Sequence, residues 1–434
     1  MSSQIDVDRV LVPLEETSRT YYVLLALGLL GALITVLTFA YQLRVGIMNT
    51  TDLGDWGISG SIPWGLYVGA FVWWVGVAHG GIAISAMVRV FGMERYRPIA
   101  RLSEMLTILA LVMSAFNIII SMGRPDRIFN TIKYWPYTVF HSPLAWDIAV
   151  ISLYLVLSLT YAVLSLRSDI YRVRDRLPWI FGPIYSLILF GYTPEEEEKV
   201  EQILWWLAVA ILSLVPLLSG GVVPWLFSLI PAQPHWYGAG AGAAILTESI
   251  TSALAVVLIV AASFRYAYGW EDMIDDRIFK DLGIMLALLA IATIWFTMHD
   301  VLTGYYIAPV HIEELIHAEL HRLSFWAAVG GLIFSVVVVF TMIARPDLYN
   351  LPALVVVAVV LAVSILIKKE FFVIEALLHP TRPPLSNLYP TGTYSPTWVE
   401  WVLFGGSVLM VGLGFLILSK VIPLVELDVE GDEA

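Results

Sequence analysis

The sequence predicts an all-α integral membrane protein, with ten transmembrane helices arranged as two four-helix bundles plus two peripheral helices. Three observations support this fold class. Hydrophobic residues make up 59% of the 434 residues and charged residues only 14%, whereas soluble domains carry about 25% charged residues. Ten apolar segments are long enough to cross a bilayer, because a hydrocarbon core of about 30 Å needs roughly 20 helical residues. Two runs of four such segments also resemble each other.

The ten predicted spans are separated by polar connections. They cover residues 21–43, 62–90, 99–122, 144–166, 202–220, 238–264, 282–306, 322–344, 351–374 and 397–422. The apolar stretch Leu177–Phe190 is shorter and contains Pro178 and Pro183. Because proline interrupts helices, we expect this stretch to lie on the membrane surface. Residues 1–19 are polar and lack the apolar core of a signal peptide, so the first span is expected to remain as an anchor.

Spans 2–5 and spans 6–9 form the internal repeat. Span 2 opens at Pro63-Trp64-Gly65 and ends at Arg89, whereas span 6 opens after His235-Trp236-Tyr237 and ends at Arg265. Four crossings restore the direction of the chain, so the two bundles are expected to have the same orientation. The predicted organisation is an N-terminal segment with a peripheral helix (1–60), a first bundle (61–220), a second bundle (221–380), and a loop, last span and acidic tail (381–434).

The basic residues predict the orientation in the membrane. An even number of spans places both termini on one side, where sixteen of the 24 lysines and arginines fall, against eight on the other. Basic loops face the cytoplasm, so we expect a protein of the cytoplasmic membrane with both termini inside the cell. The acidic runs at 195–198 and 426–433 are expected to be solvated.

The residue types limit which redox groups the chain can hold. It has no cysteine, which excludes disulfides, thiolate metal sites and protein-held iron–sulfur clusters. Haem commonly needs two facing histidines, and His79 and His299 are predicted at different depths. Glu314, His317 and His321 share one helix face and histidines so spaced can bind zinc, but an exposed, partner-facing helix is the commoner structure. We therefore expect no haem or metal in this chain, and nothing in it suggests nucleic-acid binding.

Charge inside a membrane span is costly and commonly functional, and six ionisable residues of the predicted spans are the candidates for function: His79, Glu104, Asp147, Glu248, His299 and Asp300. At about 1.5 Å of rise per residue, Glu104 is expected near the cytoplasmic face, His79 near mid-membrane and Asp147 near the outer face. This order suits a proton relay bridged by water and hydroxyl groups. The second bundle offers Glu248 at mid-depth, with His299 and Asp300 towards the outer face.

Each of these residues also has a structural interpretation. Glu104 and Glu248 could be protonated and join two helices through backbone carbonyl groups. Asp147 could form an ion pair with the basic loop after span 3, and His79, flanked by glycines, could be a packing residue. Two other classes of function stay open, a secondary transporter with midplane carboxylates and a structural membrane anchor.

Several motifs carry a family resemblance. They are Ser121-Met122-Gly123-Arg124-Pro125, His141-Ser142-Pro143-Leu144-Ala145-Trp146-Asp147, Val77-Ala78-His79-Gly80-Gly81, Arg101-Leu102-Ser103-Glu104, Trp270-Glu271-Asp272-Met273-Ile274-Asp275-Asp276 and Tyr394-Ser395-Pro396-Thr397-Trp398-Val399-Glu400. The first two resemble the "GRP…SPLxWD" signature of the NrfD/PsrC family of quinone-reactive membrane subunits. The other four are similar to elements of the ten-helix subunits of alternative complex III. The resemblance covers residues 60–400.

The resemblance implies a quinol site near the outer face. Asp147 stands where the family places a site carboxylate, and Arg124 where it places the arginine of the GRP motif. The alternative complex III relatives have a histidine three residues before that arginine, and here this position is Ser121. His141 could replace it as a proton acceptor. Tyr134 and Trp135 could line a pocket for the quinone ring, although an interfacial aromatic belt also explains them.

The function implied is that of a membrane subunit in a respiratory oxidoreductase complex. It would bind quinone or menaquinone and exchange electrons with an extrinsic, ferredoxin-like iron–sulfur subunit. A further redox subunit, of the molybdopterin type or a multihaem cytochrome, and a second NrfD-like membrane subunit are candidate partners. Glu104 and His79 would form a proton conduit towards the cytoplasm.

Overall fold

The computed structural model describes residues 7–54, 61–230, 236, 238, 240–307, 310–379 and 393–427, without the side chains of 307 and 310–314. Within these ranges all regular secondary structure is helical, and ten helices are long and apolar enough to cross a membrane. The predicted all-α fold class with ten spans is therefore confirmed.

The spans have the following bounds in the structure. They are span 1 (Arg19–Val45), span 2 (Leu66–Arg89), span 3 (Glu94–Ser121), span 4 (Pro143–Arg176), span 5 (Pro194–Ser228), span 6 (Ala241–Tyr268), span 7 (Asp276–Tyr306), span 8 (Leu323–Ala344), span 9 (Leu351–Leu378) and span 10 (Trp398–Leu418). Shorter helices cover Val7–Glu15, Ile47–Thr50, Phe129–Lys133, Trp135–His141, Gly182–Ile188 and Val310–His321. Spans 4 and 5 are longer than the sequence pattern predicts, because the end of span 4 and the start of span 5 continue into polar residues at the membrane surface, and span 5 also continues at its distal end to Ser228.

The spans pack as two rings joined through span 2. Spans 2, 3, 4 and 5 contact one another in sequence, and span 5 closes the ring on span 2. Spans 6, 7, 8 and 9 form a second ring in the same way, and span 2 contacts both span 6 and span 9. Span 10 packs on spans 2 and 3, and span 1 packs on span 10. In the most apolar part of span 2, 89% of the residues are buried, whereas the corresponding value for span 1 is 17%. Span 2 is therefore central, and span 1 faces lipid.

One face of the molecule carries the described ends of the chain. Arg176, at the end of span 4, forms ion pairs with Asp8 and Glu15 of the helix Val7–Glu15. Lys420, just after span 10, donates to the carbonyl oxygen of Pro13. We call this side the terminal face and the opposite side the distal face.

Two surface segments of the terminal face were predicted from composition. The stretch after span 4 forms a short apolar helix, Trp179–Ile188, with Trp179 and Leu187 exposed, as expected for a segment that does not span. The expectation of a solvated acidic tail is wrong at Glu426, which is 7% exposed and paired with Arg89. Residues 428–434 lie outside the described residues.

Glycine allows span 10 to approach span 1 closely. A Cβ atom added to Gly406 would lie 2.1 Å from Oγ1 of Thr35 in span 1. The adjacent Gly405 has no atom of a neighbouring helix within 4 Å of such a Cβ position. Small residues at a helix interface let two backbones pack closely in a membrane, so Gly406 is where this contact is tightest.

We predict that Gly406→Ala lowers the thermal stability of the purified protein, whereas Gly405→Ala does not. Overpacking costs about 1–3 kcal/mol, while alanine at an open helical position gains about 0.5–1 kcal/mol over glycine. Thermal unfolding in detergent measures both variants. Equal unfolding temperatures for the two would contradict the packing of span 1 on span 10.

Candidate functional site

Span 4 presents polar residues to the interior of the first bundle, interrupted between Asp147 and Tyr154 by buried Val150 and Ile151. Its buried polar residues are Asp147, Tyr154, Ser158, Tyr161, Ser165 and Asp169. Their spacing of seven, four, three, four and four residues keeps them on one side of a helix. Together with the polar residues that contact them from spans 2, 3 and 5, they form what we call the polar column. It extends from the distal end of span 4 almost to its terminal end.

The middle of the polar column is organised by a break in span 2. The span consists of two helices, Leu66–Val77 and His79–Arg89, which meet at Ala78. The carbonyl oxygen of Ala78 accepts hydrogen bonds from Oγ1 of Thr107 at 2.7 Å and from the hydroxyl of Tyr154 at 3.1 Å. A backbone carbonyl group at a helix break lacks its partner within the helix, so in a membrane it needs a donor from elsewhere in the protein.

His79 lies directly at this break and is fully buried. Its Nε2 atom is 2.6 Å from Oγ of Ser219 in span 5. Its ring is stacked on that of Tyr154, with centroids 5.8 Å apart. Nδ1 has no hydrogen-bond partner among the described residues. His79 is thus positioned through its Nε2 atom, while its buried Nδ1 atom can still accept or donate a hydrogen bond.

Ser219 is positioned by an irregular turn. Span 5 contains Pro216 and continues as a π-helical turn, Leu218–Val222. Such turns are rare and occur frequently at functional sites. The adjacent Gly220 packs against span 6 so closely that a Cβ on Gly242 would lie 2.5 Å from its carbonyl oxygen. The turn is therefore fixed between the two bundles.

Glu104 occupies the terminal half of the polar column. Oγ of Ser85 donates to its Oε1 atom at 2.7 Å, while Oε2 is buried without a partner in the described residues. A small pocket of about 10 Å³, with room for about one water molecule, lies beside the carboxylate. Its lining consists of Gly81, Ile82, Ser85, Glu104, Thr107, Ser158, Tyr161 and Ile211. This pocket joins residues of spans 2, 3, 4 and 5 around one carboxylate.

Two arginines lie below Glu104 on the terminal side. Arg89 donates to the hydroxyl of Tyr161 and forms ion pairs with Glu201 at 2.6 Å and Glu426 at 3.0 Å. Arg101 is fully buried and paired with Asp169 of span 4. The charges at this end of the column are thus compensated.

Asp147, at the distal end, has a different environment. Its side chain is fully buried, and neither carboxylate oxygen has a hydrogen-bond partner in the described part of the chain. No hydrogen bond or ion pair joins Asp147 to Arg124 in the structure. Arg124 is 64% exposed and binds Asp126 through two hydrogen bonds of 2.9 and 2.8 Å. The loop after span 3 thus points Arg124 into solvent, where its hydrogen bonds lower the pKa of Asp126.

The other residues expected at the quinol site lie near the same surface but do not contact Asp147. His141 is exposed and bonded to a carbonyl of its own helix at 2.6 Å. Ser121 donates to a carbonyl of span 3 at 2.7 Å. Tyr134 is 46% exposed, and Trp135 is partly exposed. Among the described residues none of the four is hydrogen-bonded to Asp147.

In the second bundle, Glu248 is part of an ion-pair cluster. Its carboxylate is 2.6 Å from Nζ of Lys369 and 3.3 Å from Nζ of Lys368, both in span 9. Lys368 also donates to Oγ1 of Thr297 at 2.7 Å. These two adjacent lysines are visible in the sequence as charges within an apolar run, but an estimate of depth in the membrane does not identify them as partners of Glu248. Glu248 therefore has compensating charges, in contrast to Asp147.

The two other ionisable residues of the second bundle lie at its distal surface. His299 and Asp300 are exposed, and the His299 ring lies beside the start of span 6, 3.4 Å from a Cβ added to Gly240. His79 contacts Ser219 and Tyr154, not His299. No group of three potential metal ligands is found among the described residues, and the side chain of Glu314 lies outside them.

The contrast between Asp147 and Glu248 predicts opposite effects on stability. Asp147→Asn removes a buried carboxylate that has no partner among the described residues, so it should preserve or raise the unfolding temperature. Glu248→Gln leaves Lys368 and Lys369 without their counter-charge and should be strongly destabilising, because breaking a buried pair costs about 3–5 kcal/mol. Thermal unfolding in detergent without added quinone measures both. Equal destabilisation by the two variants would show that Asp147 has a structural partner.

Comparisons with known proteins agree with this architecture. The family model described as polysulphide reductase, NrfD, matches residues 56–379. The membrane subunit of a putative dimethyl sulfoxide reductase of Halobacterium salinarum is 25% identical, over 91% of this chain and 92% of the relative. A selenate reductase subunit of Mesobacillus selenatarsenatis is 23% identical, over 83% and 85%. An Hdr-like menaquinol oxidoreductase integral membrane subunit of Archaeoglobus fulgidus is 22% identical, over 92% and 93%. The match confirms the resemblance seen in the motifs, and the chain belongs to the NrfD family.

Proposed function

We propose that the protein is the quinone-reactive membrane subunit of a multi-subunit respiratory oxidoreductase. The named relatives support this class, because two are subunits of reductases and one is an integral membrane subunit of a menaquinol oxidoreductase. The observation that carries the proposal is the buried Asp147 carboxylate at the distal end of the polar column, whose two oxygens lack partners among the described residues. A buried unpaired carboxylate is costly, and a quinol hydroxyl is a donor that would relieve this cost.

Asp147 is the proposed proton acceptor of quinol oxidation. Oxidation of a quinol to a quinone releases two protons and two electrons. One hydroxyl proton passes to an oxygen of Asp147, and the second leaves through the distal surface, where exposed His141 is available as acceptor. The same groups donate protons if the complex reduces quinone. Trp146, the neighbour of Asp147 in the chain, is partly exposed and lies edge to face with Trp225 at 6.1 Å, and these two rings would flank the quinone ring.

The electrons are proposed to leave to an extrinsic iron–sulfur subunit. The chain itself has no cysteine with which to bind such a cluster. The distal loop between spans 3 and 4 exposes Phe129, Ile132, Tyr137 and Phe140, each at least 70% accessible. Contiguous exposed apolar side chains mark protein–protein contacts, so this loop is the proposed docking surface. A molybdopterin-type or multihaem subunit would complete the electron path.

The polar column is the proposed proton path between the two faces. Asp147 and Tyr154 are about 10 Å apart along span 4, so water must bridge them. The free Nδ1 of His79, the hydroxyl of Thr107 and the carboxylate of Glu104 then provide successive donors and acceptors. The excess of basic residues on the terminal side supports a cytoplasmic location for that face. The path therefore connects the quinol site with the cytoplasm.

We predict that two substitutions affect different steps in the assembled complex. Asp147→Asn should lower the rate of quinol oxidation by about 10²–10⁴-fold, which is what a proton-transferring side chain contributes. Glu104→Gln should lower proton uptake from the terminal face, measured during quinone reduction, more than it lowers the rate of electron transfer. Steady-state kinetics and proton uptake in proteoliposomes measure the two effects.

The matched control is Asp347→Asn, which removes a carboxylate from an exposed loop of the terminal face. It should leave both rates at the wild-type level. Wild-type turnover and quinol affinity in Asp147→Asn would remove Asp147 from the reaction. An unchanged proton stoichiometry in Glu104→Gln would exclude the conduit.

A further inference from the structure

The residues that follow span 10 close the terminal end of the first bundle. We call Val421–Leu427 the capping segment. Its residues are buried, with Val425 fully inaccessible. The hydroxyl of Tyr185 donates to the carbonyl oxygen of Val421 at 2.7 Å, and the backbone N–H of Leu427 donates to Asp169 at 3.4 Å. Its apolar side chains join the main hydrophobic core, so the segment is an integral part of the bundle.

Buried Arg101 fixes the capping segment over the end of the polar column. Its guanidinium lies 3.4 Å from the carbonyl oxygen of Pro423 and 3.5 Å from that of Val425. The same guanidinium is paired with Asp169 and donates to the carbonyl oxygen of Ser165 at 2.9 Å. The segment is therefore anchored to span 4 at the last polar level of the column.

The anchored capping segment places the acidic side chain of Glu426 inside the bundle. Its carboxylate is 3.0 Å from Arg89, and the two side chains are 10% and 12% exposed. Arg89 also binds Tyr161, which lines the pocket of Glu104. Glu426 is thus linked through Arg89 and Tyr161 to the pocket of the carboxylate in the proposed conduit.

Between Glu104 and water, the carboxylates are the groups suited to carry a proton. Guanidinium groups stay protonated in proteins, so Arg89 and Arg101 hold partners in place but do not relay protons. Glu201, on the outer side of Arg89, is 53% exposed and in contact with solvent. Glu426 shares Arg89 with Glu201 and is itself almost enclosed. It therefore occupies the step between solvent at Glu201 and the pocket of Glu104.

We propose that Glu426 is the proton-exchanging residue at the terminal mouth of the polar column. A proton from water converts the Glu426 carboxylate to the acid, which weakens its contact with Arg89. During quinone reduction the acid then transfers this proton through pocket water to Glu104, which passes it along the column towards Asp147 and the quinone, and Glu426 returns to its ion pair. During quinol oxidation the proton moves in the opposite direction, from Glu104 to Glu426 and then to water. The capping segment excludes bulk water, so that protons pass through this side chain. The inference rests on the proposed proton path of the first bundle.

Proton uptake in proteoliposomes containing the assembled complex tests this inference. Glu426→Gln keeps the side-chain shape without a titratable group and should lower the rate of proton uptake from the terminal face by about 10²-fold or more, the lower end of what a proton-transferring side chain contributes. Glu426→Asp restores a carboxylate and should recover most of the uptake. If Glu426→Gln does not assemble, Glu426→Ser replaces it, with the same expected result.

Two controls separate proton exchange from sealing. Leu427→Ala loosens the packing of the capping segment but keeps the carboxylate, and Glu198→Gln removes an exposed carboxylate from the same face. Both should show wild-type uptake. A loss in Leu427→Ala equal to that in Glu426→Gln would overturn the inference, because the segment would then act only as a seal.

Glu104→Gln, measured alongside, distinguishes this inference from the proposed function. Low uptake in Glu104→Gln with wild-type uptake in Glu426→Gln would overturn the role of Glu426 and leave the conduit standing. Wild-type uptake in both variants would reject the conduit, and the role of Glu426 with it. Low uptake in both, with recovery in Glu426→Asp, supports both.

Discussion

The central constraint on this structure is that hydrocarbon offers no partners to polar groups, so each one must find a partner inside the protein. The break in span 2 shows this most clearly. It is tolerated because Thr107 and Tyr154 supply donors to the carbonyl oxygen of Ala78. The polar face of span 4 therefore stabilises an irregular helix, and this helix places His79 at the centre of the first bundle.

The buried ionisable residues Glu248 and Asp147 have different partners. In the second bundle, Glu248 is neutralised by Lys368 and Lys369. In the first bundle, Asp147 and Nδ1 of His79 have no partner among the described residues. Groups that a fold buries at a cost and leaves uncompensated are commonly functional. Both bundles bury a carboxylate without a partner among the described residues, Asp147 in span 4 and Glu370 in span 9, and Asp147 is the one that lies in the polar column.

The sequence predicted the ten spans, because length and apolar composition are local properties. It also indicated Asp147, His79 and Glu104, since charge in an apolar run is visible without a structure. It did not predict the partners. Ser219 depends on a π-helical turn, and Glu426 was assigned to a solvated tail because composition does not show how a segment packs. Arg124 was expected near Asp147, but a carboxylate two residues away binds it first.

A structure of the assembled complex with a bound menaquinone analogue tests the central claim most directly. We predict that a ring oxygen of the analogue lies within hydrogen-bond distance of the Asp147 carboxylate, about 2.6–3.2 Å. We also expect an electron acceptor of the partner subunit above it, on the distal face. A quinone bound elsewhere, with Asp147 still enclosed in dry packing, would contradict it.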